Sequence, residues 1–189
     1  ISASPAAGGT IATDVTTCAN GNAVPGSEMS ATATPTNAYL FALWSAPGVY
    51  STDNPLETTV ATDTFPLEAL FGEILTSGVQ AAIGTAGAEF FAITVPAGAT
   101  SLDVIAHQPV QSSMSVGSNL LQSAECTATE LNGSLECHIA APAPGTWWIV
   151  PQGADAGTVT ATVTLPPTCL VVTPPNAVPA GTGTLALSP

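Results

Sequence analysis

Short runs in which apolar and polar residues alternate fill the second half of the chain, and this pattern most constrains the fold. From Ile74 onward such runs recur with turn-forming residues roughly every ten positions, a spacing typical of a β-sandwich or barrel. In residues 158–165 (TVTATVTL) the threonines share one face and mostly apolar side chains share the other. The sequence therefore predicts an all-β fold, an antiparallel β-sandwich with an additional β segment before it.

Three regions are expected along the chain. Residues 1–72 form an N-terminal β-rich segment, with an apolar strand and a Pro-Gly turn in residues 38–50 and a connector from 51 to 72. Within that connector, residues 67–71 are interpreted as a single helical turn. Residues 73–166 form the sandwich, and residues 167–189 form a tail with one or more further strands.

The charge balance excludes several functions. The chain has 13 acidic residues and neither lysine nor arginine, for a formal net charge of −13. Nucleic-acid binding requires cationic side chains to neutralise phosphates, and adsorption to anionic membranes requires them too. The longest apolar stretch is interrupted by Ser and Pro and is too short to span a bilayer. Cations such as Ca²⁺ remain plausible partners.

Four cysteines form an even set without a C-x-x-C pair, which argues against zinc and for two disulfides. Cys126 and Cys137 bracket an Asn-Gly turn that lets two strands double back, so we expect them to pair. Cys18 and Cys169 then remain for each other, with intermolecular bridging as the alternative. Disulfides indicate an oxidising compartment, and a chain opening at Ile1 is consistent with removal of a leader. We therefore expect a secreted protein, extracellular or at the cell surface.

A resemblance to a known family covers about half the chain. Residues 74–165 resemble the bacterial pre-peptidase C-terminal (PPC) domain, and the matching segments are LTSGV at 75–79, EFFAITVPAGATSLDV at 89–104, Cys126, Asn132-Gly133, Glu136-Cys137 and PAPGTWW at 142–148. The resemblance implies a jelly-roll-like β-sandwich that serves exported proteins as an accessory module. Residues 112–116 (SSMSV) replace the Asp-rich stretch usual in the family, which weakens any inherited ion site.

Few residues suggest chemistry. His107 and His138 are the only histidines, and no nucleophile elbow, H-E-x-x-H motif or phosphate loop occurs, so we predict no enzymatic activity and no cofactor. The glutamates around the cysteine loop are weak Ca²⁺ candidates: Glu125, Glu130 and Glu136.

Other residues suggest surfaces. Asn132 begins a glycosylation sequon on a predicted exposed turn, so it is a candidate site for a glycan whose attachment depends on the host. Trp147 and Trp148 are adjacent and must face opposite ways on a strand. We expect one of them in the core, and we name Trp44 and Trp148 as candidates for an exposed binding surface.

Two functions follow from these features. The first is a self-assembling extracellular subunit of a fibre, pilus-like filament or surface layer, in which a β-prone tail completes the sheet of a neighbour. The alternative is a monomeric extracellular module that binds a polysaccharide or a protein. The first predicts a homopolymer, and the second predicts a compact particle.

Overall fold

A computed structural model describes residues 1–19, 23–60, 66–85, 89–108, 112–129, 133–153 and 155–167. The described residues are mostly β-strand, with one 3-10 turn at Ala6–Gly8. The strands are β1 (Ser2–Ser4), β2 (Gly9–Val15), β3 (Glu28–Pro35), β4 (Tyr39–Ala46), β5 (Val49–Ser51), β6 (Leu56–Thr59), β7 (Glu68–Ile74), β8 (Gln80–Ile83), β9 (Phe90–Val95), β10 (Ser101–His107), β11 (Ser113–Gly117), β12 (Cys126–Thr129), β13 (Ser134–Ala140), β14 (Gly145–Gln152) and β15 (Gly157–Thr164). The all-β prediction is confirmed.

The first module is a small sandwich built from β1–β7. A three-stranded sheet in the order β2-β3-β6 packs against β4 and β7. Alternation in β3 buries Met29, Ala31 and Ala33, while the residues between them are less buried. These side chains meet Trp44 and Phe71 in one hydrophobic cluster. The N-terminal segment is therefore a packed half of the molecule.

The second module, built from β8–β15, is the predicted sandwich. Its four-stranded sheet has the order β13-β10-β15-β8, and it faces the strands β12-β11-β14-β9. Leu102, Val104 and Ala106 alternate inward along β10, and Val159 and Ala161 do the same along β15. The runs that the sequence predicted as strands in this half are strands of the sandwich.

One continuous sheet joins the two modules. β7 pairs in antiparallel register with β4 on one side, and its other side is shared by β1 and β9, both parallel to it. Phe71 on β7 lies in the first core and Phe91 on β9 in the second, and Phe91 is in register with Glu73. Because Phe71 and Glu73 are two positions apart on one strand, both cores lie on the same face of this sheet. Its opposite face is an outer surface common to both modules.

The disulfide joins the two sheets of the second module. Cys126 and Cys137 are bonded, with their Cα atoms 5.9 Å apart. They lie on β12 and β13, each at the edge of its own sheet, and these strands pair with β11 and β10 respectively. The Asn-Gly turn suggested that these two strands pair as a hairpin, but β12 and β13 belong to different sheets and do not pair with each other. Asn132 lies outside the described residues.

The interpretation of residues 51–72 as a connector with a helical turn is wrong. This region contains β6 and most of β7, and residues 68–71 are strand. Glu, Ala and Leu favour helices locally, but β7 is hydrogen-bonded to strands on both of its sides, and such tertiary pairing overrides propensity. The two hydrophobic clusters separate near the end of β7, close to the predicted boundary at residue 72, while the sheet continues across it.

The rest of the domain division stays a prediction, because the expected tail strands lie outside the described residues. The described part of the chain contains no helix with the length and apolar character needed to cross a membrane.

Candidate functional site

A groove of about 440 Å³ lies on the outer face of the shared sheet. Both modules contribute to it: Leu43 and Tyr50 come from the first, and Phe90 and Trp148 come from the second. The remaining lining residues are Ser115, Gly117, Asn119, Leu120, Leu121, Gln122, Ala124, Val150 and Gln152. We call this site the outer groove.

Strand alternation points these side chains outward. On β4, Trp44 faces the first core and Leu43 faces the outer groove. On β14, Trp147 faces the second core and Trp148 faces the outer groove. The predicted division of the adjacent tryptophans is therefore confirmed. Trp147 is 3% exposed, and its indole N–H donates to the Ala143 carbonyl at 2.8 Å.

A glycine on the neighbouring module provides the space for Trp148. A Cβ atom built on Gly72 of β7 would lie 2.7 Å from Cζ3 of Trp148 and 3.2 Å from the Phe90 carbonyl oxygen. Any larger residue at this position would have to displace the indole. The Trp148 ring therefore covers the junction between the modules, where β7 and β9 pair.

The residues that line the outer groove carry no charged side chain. They include no Asp, Glu, His, Lys or Arg, although the whole chain carries a formal charge of −13. Its polar groups are the amides of Asn119, Gln122 and Gln152 and the hydroxyls of Ser115 and Tyr50. Tyr50 is 65% exposed and Leu121 is 48% exposed, so aromatic and aliphatic surface is open to a ligand. The outer groove thus offers stacking surfaces together with uncharged hydrogen-bonding groups.

One wall of the outer groove is a loop, residues 118–125, between β11 and β12. Glu125 at its end accepts hydrogen bonds from the hydroxyl and the backbone N–H of Ser118 at its start. Burial raises the pKa of the Glu125 carboxyl, but the hydrogen bonds from Ser118 and from the backbone of Glu125 outweigh burial, so the pKa lies below its ordinary value. The carboxylate form therefore closes this loop.

Trp44 is not a surface residue, so its proposed binding role is wrong. It is 0% exposed and packs against Phe41 with ring centroids 5.5 Å apart. It is in register with Ala69 of β7, on the face that the three-stranded sheet covers. Sequence reasoning instead missed Tyr50, which closely follows the Pro47-Gly48 turn on the short edge strand β5.

The calcium candidates do not converge in the described residues. Glu125 is occupied with Ser118, Glu136 accepts a hydrogen bond from the Ser134 hydroxyl at 3.2 Å, and Glu130 lies outside the described residues. No group of three or more His, Cys, Asp or Glu in the described part of the chain is arranged to hold a metal ion. Glu125 instead has a structural partner at the outer groove.

A serine, an aspartate and a histidine meet on the exposed face of β10 and β13, but not in the order of a catalytic triad. His138 Nδ1 contacts Asp103, and the Ser101 hydroxyl donates to Asp103 at 2.8 Å. In a triad the serine would contact the histidine. The bonds from His138 first and then Ser101 lower the pKa of Asp103. His107 is exposed at the end of β10.

The described residues do not test the second predicted bridge. Cys18 is exposed, and its predicted partner Cys169 lies outside the described residues. The pairing of Cys18 with Cys169 stays a prediction.

Comparison with known proteins gives limited matches. Residues 1–74, the extent of the first module, match the model of a family described as the divergent InlB B-repeat domain. No curated protein matches the sequence. Among solved structures, the chain is similar to the pre-peptidase C-terminal domain of a collagenase from Bacillus anthracis, at 12% identity and a TM-score of 0.39 over 48% of this chain and 92% of that one.

A second solved structure, a family 6 carbohydrate-binding module, is similar at 15% identity and a TM-score of 0.30 over 48% of this chain and 86% of that one. These low scores place the chain in neither family. The sandwich is defined by the pairing of the chain's own strands, and the specific PPC resemblance stays a prediction.

Proposed function

We propose that this protein is an extracellular, non-catalytic binding module whose outer groove takes a neutral glycan chain. The observation that carries the proposal is the contrast in charge: a strongly acidic chain lines one groove with uncharged residues, among them Trp148, Phe90 and Tyr50. Ligand sites are typically apolar and aromatic with a few placed polar groups. An exposed neutral aromatic groove fits that description.

The chemistry of a sugar ring matches these groups. One face of a pyranose ring carries C–H bonds, and hydroxyl groups surround its rim. Aromatic side chains can stack against the C–H face, and the amides of Asn119, Gln122 and Gln152 can both donate to and accept from hydroxyls. Anionic glycans are disfavoured because the chain has no lysine or arginine to pair with their acid groups.

The arrangement favours an extended ligand. Tyr50 lies on β5 and Ser115 on β11, and five strand intervals separate them in the order β5-β4-β7-β9-β14-β11. At about 4.8 Å per interval this is a span of about 24 Å. Several consecutive sugar rings would be needed to contact both ends, so oligosaccharides should bind more tightly than single sugars.

The outer groove is suited to binding rather than hydrolysis. Glycosidases use a pair of carboxyl groups on either side of the scissile bond, and no lining residue carries a carboxyl group. The disulfide between Cys126 and Cys137 supports an extracellular location, since disulfides persist in oxidising compartments.

Affinity measurements on a panel of glycans test the proposal. Neutral oligosaccharides of increasing length, from β-glucan, xylan, mannan and galactan, are titrated by calorimetry beside anionic polygalacturonate and heparin. We expect Tyr50→Ala and Trp148→Ala to weaken binding of a neutral glycan about tenfold or more, since Trp and Tyr side chains carry much of the binding energy in interfaces. Ile105→Ala is the matched control, because Ile105 is 39% exposed on β10, away from the outer groove. Binding of anionic glycans alone, or equal affinity of all variants, would refute the proposal.

Assembly by strand addition remains a second candidate because of one observation. Among the described residues, β2 is an edge strand of seven residues that pairs with β3 on one side. Such an edge can accept another strand. The N-terminal segment, however, is used as β1 within its own chain. Sizing the native protein distinguishes the candidates: long polymers support assembly, and a particle of the chain mass, 18.7 kDa, supports the binding module.

A further inference from the structure

We infer that Glu125 is the positioning residue of the outer groove: its carboxylate holds residues 118–124 as the wall against which a ligand binds. This inference rests on the proposed function, because it concerns the same site. It assigns to Glu125 a role distinct from metal binding. Three features support it, namely the bonds of the carboxylate, the space made for it and the composition of the wall.

The carboxylate fastens the two ends of the loop to each other. The backbone N–H of Ser118 donates to Oε1 and Oε2 of Glu125 at 3.2 and 3.1 Å, and the Ser118 hydroxyl donates to Oε1. Hydrogen bonds to an ionised acceptor are stronger than those between neutral groups. A neutral side chain of the same shape would lose part of this set.

The residue before Ser118 leaves room for the carboxylate. A Cβ atom built on Gly117 would lie 2.6 Å from Oε2 of Glu125 and 3.4 Å from the Cα of Ala124. Glycine at the end of β11 is therefore what allows Glu125 to reach back to Ser118. Gly117 itself also lines the outer groove.

The fastened loop supplies a large part of the groove wall. Asn119, Leu120, Leu121, Gln122 and Ala124 all line the outer groove. Leu121 is 48% exposed, and Asn119 and Gln122 are also exposed, so little core packing fixes them. Their other local bonds are short-range: the Leu121 N–H donates to Asn119 Oδ1 at 2.9 Å, and the Gln122 N–H donates to the Asn119 carbonyl at 3.4 Å. The position of this wall therefore depends on the closure at its base.

The Gln122 to Asn119 contact is a backbone turn bond within the loop, so it shapes the loop without anchoring it to the sheet. The hydrogen bonds of Glu125, by contrast, connect the end of the loop to Ser118, the first residue after β11. The disulfide at Cys126 fixes the next residue in place. Glu125 thus links the end of the loop, next to the disulfide-bonded Cys126, to Ser118 at its start.

Among the described residues, those in contact with the Glu125 carboxylate have no ionisable side chain. The end of β11 contributes Gly117 and Ser118, the loop contributes Ala124, and β12 begins with Cys126, which is in the disulfide. On β13, joined to β12 by that disulfide, Glu136 is exposed and accepts from the Ser134 hydroxyl. A pH effect on the wall can therefore be assigned to Glu125 by substitution, with Glu136 as its control.

The sign of the pH effect follows from the lowered pKa of Glu125, whose ordinary value is 4.5. Because the pKa of Glu125 is lower in the folded state, its hydrogen bonds to Ser118 are fully formed when the pH is above the ordinary pKa. They are lost as the pH falls through the pKa of the folded state. Glycan affinity should therefore be constant near neutral pH and fall only under distinctly acidic conditions.

The test compares Glu125→Gln with Glu136→Gln in the full chain. Two quantities are measured, namely the affinity for the neutral oligosaccharide that binds the parent chain best and the amide proton chemical shift of Ser118. We expect Glu125→Gln to weaken binding about tenfold at neutral pH and to remove the acid-induced loss of affinity. Glu136→Gln should leave both unchanged, and Glu125→Asp should restore part of the affinity. In the parent chain, the Ser118 amide shift should titrate with a midpoint below 4.5.

The possible results separate the role of Glu125 from the proposed binding of a glycan. Equal affinity of Glu125→Gln and the parent chain, or a Ser118 amide that does not titrate, would overturn the role of Glu125. If no neutral glycan binds the parent chain while the Ser118 amide titrates as expected, the closure is real but the proposed function and the positioning role both fail. A Glu125→Gln chain that unfolds would be recognised by its amide spectrum, and Ser118→Ala, which removes only the hydroxyl donor, then provides the comparison.

Discussion

Each module buries one tryptophan, but the two residues are held differently. Trp44 in the first core is 0% exposed, and its indole N–H has no hydrogen-bond partner among the described residues. Trp147 in the second core is 3% exposed, and its N–H donates to the Ala143 carbonyl. A buried polar group without a partner costs free energy. The first module therefore stabilises its tryptophan by packing alone.

The cores around these tryptophans also differ. Four of the ten buried residues in the first cluster are alanines, against four of eighteen in the second. A disulfide also joins the two sheets of the second module. Small side chains bury little area each, so the first core depends on a few large residues. The first module is therefore the weaker half, and the shared sheet links it to a stronger one.

Truncation of one phenylalanine in each core gives the largest expected effect. Phe71 is 1% exposed and Phe91 is 2% exposed, so Phe71→Ala and Phe91→Ala are matched variants. Each should lower the free energy of unfolding by about 3–5 kcal/mol. Hydrogen exchange should show that Phe71→Ala opens β2, β3 and β6 while β10, β13 and β15 stay protected. Equal loss of protection in both modules would mean that the shared sheet makes them one cooperative unit.

Removal of the disulfide should affect only the second module. Replacing both Cys126 and Cys137 by alanine opens a link between residues 11 positions apart, and the chain-entropy model assigns about 3 kcal/mol to a loop of this size. Urea denaturation of the double variant measures the loss. Cys18→Ser is measured beside the double variant, and unchanged stability in it would contradict the predicted bridge to Cys169. A large loss in Cys18→Ser would instead support the predicted bridge to Cys169.

The smallest effect concerns the two indole N–H groups. Trp44→Phe removes an N–H that has no partner, whereas Trp147→Phe removes one that donates a hydrogen bond. We expect Trp44→Phe to be less destabilising than Trp147→Phe by about 1–2 kcal/mol, as measured by urea denaturation. The opposite order would show that the Trp44 N–H has a partner, such as a buried water, and would remove this difference between the cores.

Much of the second module could be predicted from local patterns. Alternation predicted recurring strands from Ile74 onward, among them the run at residues 158–165, and adjacency required Trp147 and Trp148 to face opposite ways. The first module was predicted less well. Its β7 was interpreted as a connector because its residues favour helices, and only its pairing with β4, β1 and β9 makes it a strand.

The candidate site could be predicted only in part. Trp148 was identified as a surface residue, and it lines the outer groove. Tyr50 and Phe90 were missed because their neighbours in the groove are distant in sequence. Glu125 was identified for its charge and assigned to calcium, whereas its partner is Ser118, seven positions earlier. Such contacts depend on how the loop folds back and are absent from any local pattern.

By itself, the sequence determined the β class and the existence of two faces on each strand, because these follow from composition and from the alternation of side chains. The tertiary structure decided which face would be covered. Both small sheets pack on one side of the shared sheet, so Trp44 became core while Trp148 and Tyr50 were left at the surface. That choice depends on long-range strand pairing, chiefly of β7 with β9, and no local pattern encodes it.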